Sequence, residues 1–99
     1  MKINTESVHF DADSKLLELI ERKISKLEQF YNRIIDADVI LKLEGADQVR
    51  DKVVEVKVNV PGNTFFIKEV DKSFENGLDK SVSGLKRQLI KFKELHRNY

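Results

Sequence analysis

Between Asp36 and Val70 apolar and polar residues alternate in short runs, whereas on either side of that block the apolar residues recur every three or four positions. A period of two belongs to a strand with one buried face, and a period near 3.6 to a helix with one buried stripe. The chain therefore has to combine a sheet with two long helices. In the first run, DADVILKLE from Asp36 to Glu44, Ala37, Val39, Leu41 and Leu43 share a face. After GADQVRDK, a polar loop opened by Gly45, the run from Lys52 to Val60 repeats the pattern with Val54, Val56, Val58 and Val60, which makes a hairpin. Pro61-Gly62-Asn63 is turn chemistry, because Pro presets φ and Gly tolerates positive φ. Thr64 to Val70 is a third β-rich run and completes a meander.

Met1 to Phe10 reads as a short strand carried by Ile3, Thr5, Val8 and Phe10, with a slip between Thr5 and Val8 that marks a bulge or an early strand end. Asp13 or Ser14 supplies an N-cap, and Leu16, Leu17, Ile20, Ile24, Leu27 and Tyr31 form the stripe of a first helix over about Ser14 to Asn32. Ser73 caps a second helix whose stripe is Phe74, Leu78, Val82, Leu85, Leu89, Phe92 and His96. Gly77 and Gly84 each cost that helix about 1 kcal/mol against Ala, so packing has to hold it. The order β-α-β-β-β-α predicts an α+β domain, a four-stranded sheet with both helices on one face.

Ninety-nine residues suffice for one domain, expected over residues 1–99, and the absence of Cys removes disulfides, thiolate metal sites and cysteine nucleophiles. A reducing cytoplasm suits such a chain. Neither a signal peptide nor a run of roughly 20 apolar residues is visible, so no membrane partner is expected.

The net charge of +1 hides an uneven distribution: −2 over residues 1–13, +2 over 14–33, −3 over 34–71 and +4 over 72–99. The positive segments are the two helical ones. At about 100° per residue, Lys15, Lys26 and Arg33 gather around Arg22 opposite the stripe of helix one, with Lys23 on the near flank. Glu18, Glu21 and Glu28 collect on the other flank. On helix two, Arg87 and Lys91 align with Lys80, while Lys86, Lys93 and Arg97 form a second row nearer the core edge. Long helices need solvated faces in any case, and Lys and Arg are good helix formers. A polyanion, however, would gain counterion release from cations gathered in this way, and phosphate backbone is the natural partner. Structured RNA, read through shape and phosphates, fits helical rows of cations.

No catalytic constellation is visible. His9 and His96 stand at opposite ends of the chain without metal-ligand spacing, and there is neither GxGxxG nor GxxxxGK[ST]. No cofactor or metal is implied, and the reading is non-enzymatic. Asp36 and Asp38 share a strand face but read as a solvated strand start. Phe65 and Phe66 are adjacent on one strand, so one of them must face away from the core.

Three segments resemble the short ribosome hibernation-promoting factors, also called ribosome-associated inhibitor or sigma-54 modulation proteins. SKLEQFYNRIIDADVILKLE, Ser25 to Glu44, resembles that family's K-L-E-x-[FY]-[FY]-x-R-I segment entering strand two. LKRQLIKFKE, Leu85 to Glu94, resembles its L-x-R-Q-[LI]-x-K-[HY]-K motif, and HFDADSKLLELIERKISKLE resembles its first strand and first helix. The resemblance implies a fold like that of double-stranded-RNA-binding domains. It further implies binding to the small ribosomal subunit and the 70S ribosome through ribosomal RNA, in the channel where messenger and transfer RNA meet, so that translation is blocked in starvation or stationary phase.

The motif matches carry Lys26, Arg33, Arg87, Lys91 and Lys93 over as RNA contacts; Arg22, Lys23, Lys80 and Lys86 are added by the face arithmetic alone. Where many members have Asp-Lys ahead of L-x-R-Q, this chain has Ser83-Gly84, with Lys80 a turn earlier as a substitute cation. Phe92 replaces the usual His or Tyr. Long members add a C-terminal dimerisation domain that pairs ribosomes; a chain ending at Tyr99 is expected to be a monomer without it, leaving pairing to a second factor or silencing single ribosomes only. A generic structured-RNA binder and a protein-interaction or transcription-modulating module remain the alternative readings.

Overall fold

The computed structural model describes residues 1–45 and 51–96, in the order β1 (Lys2–Val8), α1 (Ser14–Ser25), a 3-10 segment (Lys26–Gln29), β2 (Asp36–Glu44), β3 (Asp51–Val60), β4 (Asn63–Asp71) and α2 (Phe74–Leu95). The sheet runs β1-β2-β3-β4, with β1 parallel to β2 and the other pairs antiparallel. This is the expected α+β architecture. Most of the polar loop read between β2 and β3, residues 46–50, lies outside the described residues.

One sheet face is the core. Ala37, Val39 and Leu41 of β2 pair with Val58, Val56 and Val54 of β3, all fully or almost fully buried beneath Ile20, Ile24 and Leu27 of the first helical segment and Leu78, Leu85 and Leu89 of α2. The valine-rich alternation thus presents β-branched residues on one side, where they suit the pleated surface. Asn63 pairs with Val60 across Pro61-Gly62, and Gly62 at φ 81° takes the left-handed conformation that the second central turn position needs. Asp13 caps α1 by accepting from the Leu16 N–H at 2.8 Å, and Ser73 caps α2 by accepting from Asn76 at 3.1 Å.

The first helix is shorter than its stripe suggests. The α-helix stops at Ser25, and Lys26–Gln29 wind as a 3-10 turn, after which the Phe30 and Tyr31 N–H groups both donate to the Leu27 carbonyl. Tightening the last turn satisfies carbonyls at the helix end while the chain swings toward β2 and buries Ile34. Leu17 is exposed, and Leu16 and Leu19 pack against the core beside Ile20. On α2, His96 is exposed and lies against the half-buried Phe92 ring, whereas Phe92 itself packs into the core edge. The irregularity at the end of β1 is an early stop: the strand ends at Val8, and His9 adopts φ 66°.

Gly77 and Gly84 are both buried where α2 crosses the sheet. A Cβ at Gly77 would lie 3.0 Å from Val54 Cγ2, and one at Gly84 only 2.2 Å from Ile67 Cδ1. The propensity cost of these glycines is offset by close approach of helix to sheet.

Candidate nucleic-acid interface

The cations of α2 split between two flanks because residues seven apart lie nearly in line along a helix. Toward the 3-10 segment, Lys86 Nζ sits 4.5 Å above the Phe30 ring, and Lys93 lines one hollow with Gln29 and Phe30 and another with Tyr31, Asn32, Arg33 and His96. Tyr31 meets Phe92 edge-on at 5.8 Å between ring centres, which fixes the turn that carries Arg33. Two elements distant in sequence therefore place Arg33 and Lys93 on one hollow. Along the β4 flank, Arg87 lies beside Gly84, and Lys91 borders a hollow with Phe65, Gln88, Phe92 and Leu95.

The nine candidate cations are not equivalent. Lys23 reaches across to Asp79 and ties α1 to α2 in an ion pair, and Lys80 pairs with Asp71 Oδ2 at 2.6 Å. Arg22, Lys26, Arg33, Arg87, Lys91 and Lys93 are exposed and form no ion pair with a described residue. Arg22 and Lys26 stand one turn apart on the outside of the first helical segment, and no described contact joins them to the cations of α2.

Asp71 is held below the usual carboxylate range, first by the Lys80 ammonium and then by the Lys72 N–H, which donates to Oδ1 at 2.7 Å. Lys80 is correspondingly raised by Asp71. A lowered acid contributes stability above its unfolded pKa of about 3.9 and loses it as pH falls through the folded value. Asp71→Asn is therefore expected to lower Tm at pH 7 and to reduce the further loss of Tm between pH 5 and pH 2, as read by thermal melts across that range.

Sequence reasoning did not find Phe30 as a support for Lys86, nor the Tyr31, Asn32 and His96 that complete the Arg33–Lys93 hollow. The adjacent aromatics Phe30 and Tyr31 held a signal, since two neighbours on a tight turn cannot both enter the core. Asp71 as counter-ion to Lys80 had no local signal, because the contact joins a strand end to a helix nine residues later. Asp36 and Asp38 accept from Asn59 at 2.5 Å and Asn4 at 3.0 Å, respectively, so they pin neighbouring strands. No group of three or more metal-ligating side chains occurs among the described residues, and none of their helices is long and apolar enough to cross a membrane.

The family model described as Sigma 54 modulation protein / S30EA ribosomal protein matches residues 3–97. The chain belongs to this family. Among curated relatives, a ribosome hibernation promoting factor of Azotobacter vinelandii is 30% identical over 94 residues, covering 95% of this chain and 84% of the relative. Ribosome hibernation promotion factors of Deinococcus radiodurans and Bacillus subtilis are 36% and 30% identical, covering 77% and 94% of this chain. The chain spans only 40% and 49% of the length of those two relatives. Two solved structures share the fold at a TM-score of 0.83: a ribosomal subunit interface protein from Coxiella burnetii, 23% identical, and the N-terminal domain of Thermus thermophilus Protein Y, 22% identical. These cover 95% and 93% of this chain and 99% of each neighbour.

Proposed function

We propose that this chain is a non-enzymatic ribosome hibernation factor. It lays its helix face on ribosomal RNA of the small subunit and excludes messenger and transfer RNA from their channel by occupying it. The observation that carries the reading is the convergence of Arg33, Lys86 and Lys93 on one flank of α2, with Arg87 and Lys91 on the other, in a chain whose net charge is only +1. Unpaired cations are free to meet phosphates, and an interface of this kind positions through the RNA backbone. The family and the names of the relatives support the ribosome as the partner. The same reading places the protein in the cytoplasm.

Sedimentation of the purified protein with small subunits and 70S particles tests this. With six of these cations engaged, affinity should fall by about 10³-fold between 50 and 200 mM salt, and transfer RNA or messenger should displace the protein. Displacement by free RNA duplexes at the same concentration would instead indicate a generic structured-RNA binder. Salt-insensitive attachment would indicate a protein partner.

A further inference from the structure

The hollow between the turn that follows the 3-10 segment and the end of α2 is built from more than charge. Tyr31, Asn32 and Arg33 line it from the turn, Lys93 from the last turn of α2 and His96 from the C-cap of that helix. Its volume is about 260 Å³, below the roughly 300 Å³ at which sites for drug-sized ligands begin. That is room for one small ring system. A phosphate would use Arg33 and Lys93 alone, so two rings and an amide in the same wall call for a ligand with more to offer.

The rings are held in place before anything binds. Phe92 meets Tyr31 edge-on at 5.8 Å between centres and lies 4.2 Å from the His96 ring at a tilt of 34°. The His96 Nδ1–H donates to the Phe92 carbonyl at 2.9 Å, which leaves Nε2 without a partner among the described residues. His96 is nonetheless exposed, so its ring is fixed from the Phe92 side and open on the other. A ring restrained in this way loses little freedom when a second ring stacks on it.

The polar groups beside these rings are free. The side chains of Tyr31, Asn32, Arg33 and Lys93 make no hydrogen bond or ion pair with a described residue. An amide both donates and accepts, as the edge of a base requires, and a guanidinium and an ammonium suit the phosphates on either side. Stacking on aromatic side chains, with cations along the backbone, is how unpaired nucleotides are held. A base inside a duplex has neither a free face nor a free pairing edge. An acidic peptide would meet the cations and leave the rings unused. The hollow on the other side of Lys93 is the poorer seat, because Glu94 borders it and Lys86 already covers its Phe30 ring at 4.5 Å.

We propose that the hollow between Tyr31 and His96 takes one unstacked base of single-stranded RNA. His96 is its stacking platform, Asn32 meets its edge, and Arg33 and Lys93 hold the flanking phosphates. The proposal rests on the reading of this flank as RNA-facing and adds that it selects unpaired nucleotides.

Two probes separate the base from the phosphates: single-stranded hexauridylate, and the same six-unit ribose phosphate chain without bases, each titrated into the full chain at about 50 mM salt. Hexauridylate should bind about tenfold tighter than the abasic chain, with its largest amide NMR shifts at Asn32, Arg33 and His96. His96→Ala should remove most of that difference, whereas His96→Phe, which keeps a ring, should retain it. His96 is exposed, so the circular dichroism of both variants should match the parent. Equal binding of the two probes, or equal losses in His96→Phe and His96→Ala, would overturn the base pocket and leave the phosphate contacts standing. Equal binding of hexaglutamate would overturn it in favour of an acidic protein segment. Binding of neither nucleic-acid probe would overturn the RNA reading of this flank, and the pocket with it.

Discussion

Replacing Arg87 and Lys91 together by Glu is expected to remove co-sedimentation with the small subunit while leaving the fold in place. A hydrogen bond to a charged group contributes roughly 1.5–3 kcal/mol, so losing two corresponds to about 10²–10⁴-fold in affinity before the added repulsion of two carboxylates is counted. Neither side chain is buried or ion-paired with a described residue, so stability should stay within about 1 kcal/mol of the parent, as read by denaturant unfolding. Lys80→Ala provides the contrast. Its ammonium already meets Asp71 at 2.6 Å, and a phosphate would have to displace that carboxylate. Lys80→Ala should therefore weaken ribosome binding less than Arg87→Ala does, and a larger loss from Lys80→Ala would mean that the Asp71 pair opens on the ribosome. Wild-type binding by the double variant would remove this flank of α2 from the interface.

That ranking of cations was not legible in the sequence, and the reason is geometric. Angular position on a helix follows from spacing, so the grouping of Lys80 with Arg87 and Lys91, and the second row at Lys86 and Lys93, could be read directly. Whether a cation is free depends on what the rest of the fold brings beside it. Asp71 comes from the end of β4, and the Lys23–Asp79 pair requires α1 and α2 to be neighbours. The sheet was legible for the converse reason: Val54, Val56 and Val58 opposite Leu41, Val39 and Ala37 leave one register that buries all six of these side chains. Where a period of 3.6 was extended too far, past Ser25 and onto Leu17 and His96, tertiary packing decided the local geometry. Phe66 carried only the knowledge that it or Phe65 must face outward; that it borders a hollow with Glu6 and Asp38 follows from three strands far apart in the chain.

A lysine at position 84, which the family resemblance implies where this chain has Gly84, is expected to harm it. The apparent gain is one more cation on α2 and about 1 kcal/mol of helix propensity over Gly. Against this, the new Cβ would lie 2.2 Å from Ile67 Cδ1, a distance that real side chains do not adopt, so either the Ile67 rotamer changes or the helix lifts from β4. Lifting α2 would loosen Leu85 and Leu89, which are fully buried on the same stripe. Overpacking of this kind costs about 1–3 kcal/mol, and Gly84→Lys should lower stability by up to about 2 kcal/mol after the propensity gain, measured by chemical denaturation. The origin of the loss can be isolated by shortening the side chain it meets. Ile67→Ala alone should destabilise by removing packing, but in the double variant with Gly84→Lys the two changes should compensate, with a coupling of at least about 1 kcal/mol. Additive losses would mean that the two positions do not collide and that Gly84 serves something other than the approach of α2 to the sheet. The glycine and the isoleucine beneath it then act as one feature, which seats α2 close to β4.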